Sequence, residues 1–460
     1  MLLVNMIPRS LSDEVEQDSE PTIAVNPANP KQIIGTAFTP DPFGGDFAPI
    51  FVSNDGGLTW TLNFTVPSQL QTGDITVAFG SKTNNLYAGI LRFPAPQDDT
   101  HLNVLRTKDA FSSTPMTVLV DRLEADQPYV QAVTVPTPSG RARDRVYVGV
   151  NDFAAPDATS TVDVSLNGMT GNGNFKSIRV EKSNKSGQNG PQVRPACHAD
   201  GTVYVAFYRW LATTGNWQAN TLVVTADVIL VRDDNGGKGT KPFAALKDDA
   251  GVPGRASASG VTFPFHQTGK SVPGQQRLGG DLALAVDPRS SAAVYLAYGA
   301  RAAGGTYTLH VRSSTDRGLT WSPDLRTLPG AINPGLAIAG DGRVGFLYQQ
   351  LTGSGSSRRW VTHFEQTADG ANWSDLVLST APAATPTLSF SPYLGDYAHL
   401  VAVGDTFFGI FSANNTPDPA NFPNQVTYQR NADFGTRRLF KTDGVTPVAA
   451  SIDPFFFRVP

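Results

Sequence analysis

Short apolar segments that come in pairs dominate the pattern of hydrophobic and polar positions along this chain. The first member of each pair is a mostly continuous apolar strand, predicted at 21–25, 75–79, 128–133, 193–197, 282–286, 335–338 and 398–403. A second apolar strand follows each, predicted at 33–38, 86–91, 146–150, 203–208, 294–298, 344–348 and 407–411. Tight-turn residues such as Asp287-Pro288 and Asp341-Gly342 separate the two members of a pair.

A third, more polar strand and a fourth strand follow each pair, which gives seven units of four antiparallel strands. The units repeat with a period of roughly 55 residues. Radial repetition of four-stranded sheets is a β-propeller, so the pattern predicts an all-β propeller with seven blades favoured and six as the alternative. Two unrelated β-sandwiches would be the other interpretation, but sandwich strands do not recur at a fixed period.

The domain organisation follows from this repeat. We predict one propeller domain over 1–460, with an insertion at about 222–279 that is rich in Gly, Lys and Asp and forms an elaborated outer hairpin with a loop. The C-terminal segment 450–460 is too apolar to stay in solvent, so we expect it to pack on the propeller. The N-terminal segment 2–7 is expected to pair with the last sheet and close the ring.

One eight-residue segment occurs twice with six identical positions. It runs from Ser53 to Trp60 as Ser-Asn-Asp-Gly-Gly-Leu-Thr-Trp and from Ser314 to Trp321 as Ser-Thr-Asp-Arg-Gly-Leu-Thr-Trp. A weaker copy spans 367–373, and a decayed one begins at 107–109. In such a turn Asp accepts backbone hydrogen bonds, Gly takes a positive φ and Trp fills the space between neighbouring sheets. The motif therefore predicts a structural hairpin turn.

This motif resembles the Asp-box, or bacterial neuraminidase repeat, of sialidase-like β-propellers. The resemblance supports the propeller fold and explains the six-bladed alternative, because the sialidases of that family have six blades. In the family the box is a structural turn that hydrolases, lectins and receptors share, so it does not by itself assign an activity.

Composition narrows the function classes. The formal net charge is −4 and charged residues make up 17% of the chain, so no general basic field for nucleic acid or an anionic membrane is expected. Cys197 is the only cysteine, which excludes an intrachain disulfide and a cysteine-based zinc site. The apolar start at 1–7 lacks a basic region and is too short to span a membrane. Export is favoured by the family resemblance alone.

The first strands predict where chemistry would lie. If these strands line the axis, they all start on one face, together with the loops between second and third strands, and the motif turns lie on the other face. The residue three positions before each apolar core is polar: Glu20, Asp74, Gln127, Gln192, Asp281, Asn333 and, with one bulge, Asp396. Such a ring can satisfy strand-end N–H groups and water, hold a cation such as Ca²⁺, or contact substrate.

The loops on that face bring arginines, carboxylates and aromatic residues, which suit a sugar acid. Sialidases bind the substrate carboxylate with three arginines and use a Tyr–Glu nucleophile pair and an Asp acid/base. The resemblance implies Arg92, Arg194, Arg209 and Arg301 as candidates for the arginines, Tyr393 or Tyr397 as the nucleophile, Glu20 as its partner and Asp46 as the acid/base. The loop composition adds Trp210 as a candidate aromatic contact, and the ring adds Asp74, Asp281 and Asp396 as candidate substrate contacts. Segment 91–94 resembles the family's Arg-Ile-Pro element but follows the first box instead of preceding it.

We therefore expect a sialidase-like enzyme that acts on terminal acidic sugars, with a glycan or glycoconjugate as its partner. The alternative is a propeller that binds glycan or a protein partner without catalysis. The chain has no Gly-x-Ser-x-Gly elbow, no His-Glu-x-x-His motif and no metal-ligand spacing among its histidines.

Overall fold

The structure is a computed structural model of the 460-residue chain. It describes all residues except 39–46, 68–71, 93–99, 138–139, 155–158, 184–191, 220, 266–279, 302–304 and 387–393. The described residues form β-strands and three short 3-10 helices, which are Arg9–Leu11, Gly355–Ser357 and Pro419–Asn421. Within this part of the chain, no helix is long and apolar enough to cross a bilayer.

Six sheets have four strands each, and their antiparallel strands follow one another in chain order across the sheet. The first sheet contains β2 (Ser19–Val25), β3 (Ile33–Phe38), β4 (Phe47–Ser53) and β5 (Thr61–Pro67). The second contains β6 (Thr72–Phe79), β7 (Leu86–Arg92), β8 (His101–Thr107) and β9 (Thr117–Leu123). The third and fourth contain β10 (Ala125–Pro136), β11 (Ala142–Asp152), β12 (Thr159–Ser165), β13 (Lys176–Arg179), then β14 (Arg194–Cys197), β15 (Val203–Thr214), β16 (Val223–Asp233) and β17 (Arg255–Pro264). The fifth and sixth contain β18 (Leu282–Val286), β19 (Val294–Arg301), β20 (Tyr307–Ser314), β21 (Arg326–Pro329), then β22 (Ala331–Ile338), β23 (Val344–Thr352), β24 (Arg359–Thr367) and β25 (Ser374–Pro382).

The seventh sheet joins the two ends of the chain. Its strands lie in the order β26 (His399–Val403), β27 (Thr406–Asn414), β32 (Ile452–Val459), β1 (Leu2–Asn5) and β28 (Thr427–Tyr428). The C-terminal strand is antiparallel to both of its neighbours, with Phe456 opposite Ile410 on one side and Val4 on the other. A separate small sheet contains β29 (Ala432–Asp433), β30 (Arg438–Phe440) and β31 (Pro447–Val448).

The first strands of the seven sheets line a common axis. Each contacts the first strand of the next sheet, and β26 contacts β2, so the series closes on itself. Apolar clusters fill the spaces between neighbouring sheets, for example between the fourth and fifth sheets and between the last and first sheets. This arrangement is a β-propeller, and the sheets in the described part of the chain favour seven blades over six.

The interval 222–279, predicted as an elaborated outer hairpin with a loop, contains the outer strands of the fourth sheet. Strands β16 and β17 lie inside it and are the third and fourth strands of the fourth sheet. The extra described length is the connection at 234–254, whose Phe243 and Leu246 are fully buried.

The repeated Ser-x-Asp motif forms the same turn at both of its full copies, between the third and fourth strands of the first and fifth sheets. Ser53 Oγ donates to Asp55 Oδ1 at 2.8 Å and accepts from Gly57 N at 2.9 Å. Thr59 donates to Asp55 through its backbone N at 3.0 Å and its hydroxyl at 2.6 Å. The copy at 314–321 has all four bonds within 0.1 Å of these lengths.

The weaker copy at 367–373 reaches the same geometry with one replacement. Asn372 supplies both the backbone N–H and the side-chain N–H that bind Asp369, at 2.8 and 2.7 Å, where the full copies use Thr. In the full copy at 314–321, hydrogen bonds from Thr320 lower the pKa of Asp316 to about 2. These aspartates are therefore held as carboxylates by the turn itself.

A buried ionic network ties the two chain ends to the loop that precedes the small sheet. Arg430 is fully buried and donates to Asp453 Oδ2 at 3.0 Å and to the carbonyl oxygens of Ser12 and Glu14 at 2.9 and 2.6 Å. Asn415 donates to the other Asp453 oxygen at 2.6 Å. The guanidinium therefore joins the segment after β1, the loop before β29 and the C-terminal strand.

Arg430→Met is expected to lower the free energy of unfolding by on the order of 3 kcal/mol, because it leaves Asp453 buried without its cation. Denaturant unfolding would measure the change. The matched control is Arg255→Met, whose exposed pair with Asp249 spans 3.0 Å and should contribute under about 1 kcal/mol. Equal effects of the two substitutions would contradict a stabilising role for the buried network.

Candidate functional site

The seven polar residues predicted to ring the axis are all buried at the starts of the first strands. They are Glu20, Asp74, Gln127, Gln192, Asp281, Asn333 and Asp396, and each is at most 4% exposed. A repeated backbone bend places them. Glu20, Gln127, Gln192 and Asn333 have φ between +51° and +55°, and Asp281 and Asp396 follow glycines at +93°. Positive φ is uncommon outside glycine, so its recurrence here marks a shared local requirement.

Asp396 is the centre of the hydrogen bonds in this ring. Gln127 Nε2 donates to Asp396 Oδ2 at 2.8 Å, and Gln192 Nε2 donates to its backbone oxygen at 2.8 Å. Its backbone N donates to Glu20 Oε1 at 3.2 Å. Side chains of the first, third and fourth sheets thus meet at the first residues of the last sheet.

Asp281 forms a second group of hydrogen bonds in the ring. Its carboxylate accepts from Asn333 N at 3.3 Å and from the hydroxyl of Tyr307. Burial raises the pKa of Asp281 to about 7, although the Tyr307 and Asn333 hydrogen bonds oppose the rise, and the Asp396 carboxylate adds to it. Asp281 can therefore hold or release a proton near neutral pH.

Arg194 and Tyr397 face each other inside the ring. The Arg194 Cζ atom lies 5.5 Å from the centroid of the Tyr397 ring, and Arg194 Nε donates to Leu282 O at 3.3 Å. Arg194 Nη2 and the Tyr397 hydroxyl are buried and have no hydrogen-bond partner among the described residues. Burial raises the pKa of the Tyr397 phenol well above its usual value, and the charges of Asp74 and Glu20 raise it further, against Arg194. The phenol is thus neutral in the resting protein.

Tyr129 contacts the Arg194 guanidinium, and His399 contacts Tyr129. The Arg194 Cζ atom lies 4.4 Å from the Tyr129 ring centroid, and the Tyr129 hydroxyl lies 3.1 Å from His399 Nε2. His399 Nδ1 accepts from Ile23 N at 3.1 Å, which places the proton of the neutral ring on Nε2. Burial and the Arg194 charge lower the pKa of His399 to about 3, so it stays neutral.

Sequence reasoning did not select Tyr129, His399 or Tyr307 for the site. A usable signal was present for the first two: they follow the ring residues Gln127 and Asp396 by two and three positions. Tyr307 begins the third strand of the fifth sheet and carries no such signal.

The other predicted arginines have local partners, so the expected group of three around a substrate carboxylate is not formed by them. Arg92 lies 3.5 Å from Asp121, and the exposed Arg301 donates to Gly305 O at 3.0 Å. Arg209 is buried against Glu181 at 2.9 Å, between the third and fourth sheets. Each lies on a second strand, Arg92 and Arg301 at its end and Arg209 in its middle, and each side chain finds partners within its own sheet or between sheets. Only Arg194, on a first strand, reaches the axis.

The predicted aromatic contact Trp210 does not face the axis. Trp210 packs its ring 5.5 Å from Phe265 and 6.4 Å from Phe263, so it belongs to the core of the fourth and fifth sheets. It is 7% exposed and offers no open stacking surface. Tyr393 and Asp46 lie outside the described residues.

The ring does not gather its carboxylates as a cation cage would. Among the described residues, the three carboxylates whose oxygens come within 4.8 Å of one another are Glu14, Asp18 and Asp453. That group already surrounds the Arg430 guanidinium. Calcium binding at the ring stays a prediction.

The chain was also compared with known proteins. No family model matches it, and no curated protein matches it. Among solved structures, the α-L-arabinofuranosidase Arb93A from Fusarium graminearum is 10% identical, with 98% of this chain and 97% of that chain covered and a TM-score of 0.43. A Trypanosoma rangeli sialidase is 15% identical, covers 65% and 45% of the two chains, and has a TM-score of 0.35. Because these similarities are weak, the propeller assignment rests on the strand pairing itself.

Proposed function

We propose that this propeller is a glycoside hydrolase that binds and cleaves off the terminal sugar of a glycan. The reaction would take place at the axial cluster, defined as Glu20, Asp74, Arg194, Asp281, Asp396 and Tyr397. The observation that carries the proposal is that four carboxyl groups are buried in one ring with Arg194 and Tyr397, and that burial raises the pKa of one of them, Asp281, to about 7. Glycoside hydrolysis needs a carboxylic acid to protonate the leaving oxygen and a second group to attack or to activate the nucleophile. Asp281, with its pKa of about 7, suits the acid role.

The second role fits Tyr397 with Glu20 or Asp74. In this scheme the carboxylate takes the phenol proton while the Tyr397 oxygen attacks the anomeric carbon. The glycosidic C–O bond breaks, and Asp281 gives its proton to the leaving oxygen. Water then cleaves the tyrosyl–sugar bond, with Asp281 accepting the water proton, and the tyrosine regains its proton from the carboxylate. Asp74 and Glu20 are close enough to Tyr397 for their charges to raise the pKa of its phenol, and this supports the pairing.

The charge of the cluster favours a neutral sugar. Its four carboxyl groups face a single guanidinium, so an anionic sugar would add a further negative charge to a buried acidic site. A sialidase-type activity on an acidic sugar is the second candidate. It is favoured by Arg194 Nη2, which is buried beside Tyr397 and has no hydrogen-bond partner among the described residues.

A glycan-binding propeller without turnover is the alternative class. The ring itself favours this class, because carboxylate oxygens of Asp396 and Glu20 already accept hydrogen bonds from a neighbouring side chain and a backbone N–H group.

The three Ser/Thr-x-Asp turns fit the Asp-box of sialidase-like propellers, and we assign them to it as part of this proposal.

The proposal is tested with fluorogenic glycosides of sialic acid, arabinofuranose and neutral pyranoses, beside a glycan-array screen. Tyr397→Phe is expected to lower kcat by about 100-fold or more, and Arg194→Met to raise KM for an acidic substrate more than for a neutral one. Leu319→Ala, at an exposed turn on the opposite face, is the control. Binding without turnover would move the protein to the lectin class. Turnover that survives Tyr397→Phe would remove the tyrosine from the mechanism.

A further inference from the structure

A cleft with a volume of about 330 Å³ lies between the first two sheets, on the face opposite the axial cluster. Turns between first and second strands of both sheets, and the turn between the third and fourth strands of the second sheet, provide its walls. The lining residues are Asn26, Gln32, Phe79, Asn84, Lys108, Asp109, Ala110 and Phe111. This volume is in the range of small-ligand sites.

The cleft lies at the decayed copy of the repeated turn. In the full copy at 314–321, both oxygens of Asp316 are bound by Thr320. In the decayed copy, Asp109 Oδ1 accepts from Phe111 N at 3.0 Å, and Oδ2 has no hydrogen bond from any described residue. The decayed turn therefore leaves a carboxylate oxygen available where the full turns use both.

The decayed turn has also lost its tryptophan. Trp60 fills the equivalent space at the edge of the first sheet and is 1% exposed, whereas 108–116 contains no tryptophan. Phe111, which is partly buried, supplies apolar surface there instead, and Phe79 behind the lining is part of the buried core. Asn63 Nδ2 donates to Ala110 O at 2.7 Å and to Ser112 O at 2.9 Å, which fixes the turn to the first sheet. The opening is thus part of the folded structure.

Amide groups face the same space with a set orientation. Asn26 Nδ2 donates to Gln32 Oε1 at 2.9 Å and to Asn84 Oδ1 at 3.3 Å. These bonds engage the amide oxygens of Gln32 and Asn84, and no described residue accepts from their NH₂ groups. The lining of the cleft therefore includes two amide groups with unused donors, one carboxylate acceptor and the partly exposed ring of Phe111.

We infer that this cleft binds one neutral sugar residue of a glycan, separately from the axial cluster. Sugar hydroxyls both donate and accept, so they match the carboxylate and amide groups, and the C–H face of a sugar packs on a phenyl ring. Lys108 and Asp109 offset each other in charge, which favours a neutral ligand over an ionic one. The site would hold a glycan on the protein without taking part in its cleavage.

Saturation-transfer NMR with glucose, galactose, mannose, arabinose and N-acetylglucosamine as probes tests the inference. At least one sugar should give a signal with the wild-type protein. Asp109→Asn and Phe111→Ala should each raise its Kd by about ten-fold or more, since each removes a principal contact. Leu319→Ala, on a full turn of the fifth sheet, is the matched control and should change nothing. Thermal melts check that each variant is folded.

The variants Tyr397→Phe and Arg194→Met separate this site from the axial one. Neither should change the part of the sugar signal that Asp109→Asn and Phe111→Ala remove, whether or not the protein proves to be an enzyme. The inference is overturned if no probe binds the wild-type protein, if binding survives both cleft substitutions, or if it is lost in the axial variants instead.

Discussion

Asp281→Asn is expected to lower kcat by about 10²–10⁴-fold on any glycoside that the protein cleaves, because asparagine cannot deliver a proton to the leaving oxygen. The substitution keeps the size of the side chain and one acceptor oxygen. In the wild-type protein, activity should fall as pH rises through about 7, where the buried Asp281 loses its proton. In the variant, that decline should be absent from the residual rate. Steady-state kinetics between pH 5 and 9 measure both effects.

The same substitution has a readout that does not depend on catalysis. Burial raises the pKa of folded Asp281 to about 7 from its ordinary value of 3.8, so the protonated form favours the folded state. This contribution to stability is complete below the unfolded pKa and is lost as pH rises through about 7. The wild-type Tm should therefore fall from pH 5 to pH 8 by more than the Tm of the variant.

Asp249→Asn is the control for both measurements, since its side chain is almost fully exposed. Its activity and its pH-dependent Tm should match those of the wild type. A wild-type pH–rate profile with no decline near 7, or one that Asp281→Asn leaves unchanged, would exclude Asp281 as the acid.

Trp60→Ala is expected to lower the free energy of unfolding by about 3–5 kcal/mol. The Trp60 ring is 1% exposed and packs edge-on against Phe456 at 5.3 Å, so it joins the first sheet to the C-terminal strand. Its Nε1 donates to Gly57 O at 3.1 Å, and Gly57 has φ +89° where any Cβ would collide with the Phe456 ring. The turn and the contact between the sheets are therefore one unit, which denaturant unfolding should report.

Trp321→Ala is expected to cost less, since Trp321 is only half-buried although it holds the same place in an almost identical turn. The motif predicts that both rings fill the space between neighbouring sheets, and the structure buries the Trp60 ring more fully than the Trp321 ring. Leu58→Ala, at a 50% exposed position in the same turn as Trp60, serves as the control and should have little effect. If Trp60→Ala and Leu58→Ala destabilised the protein equally, Trp60 could not be the residue that joins the two sheets.

Much of the fold was readable from local patterns. Paired apolar strands and the Ser-x-Asp turns specify four-stranded antiparallel units, because strand alternation and turn chemistry act over a few residues. The ring from Glu20 to Asp396 could also be aligned by position alone. The interval 222–279 was predicted as an elaborated outer hairpin with a loop, and the structure places β16 and β17 in it as the outer strands of the fourth sheet.

The candidate site was only partly readable. Four arginines looked equivalent in sequence, but the structure gives Arg92, Arg209 and Arg301 local partners and brings Arg194 to the axis. Tyr129 and His399 became visible only once the third and last sheets met behind that guanidinium. Which residues belong to the site depends on which side chains from distant strands lie close together in the folded chain.

The sequence by itself determined the repeating strand units, the turn chemistry and the set of polar residues at the starts of the first strands, since each depends on neighbours along the chain. Closure of the ring decided the rest. It buried Asp281 beside Asp396, which raised the Asp281 pKa, and it placed Tyr397 between carboxylates and Arg194. Burial and the distances between charges are properties of the assembled sheets, and they set which of these groups carries a proton at neutral pH.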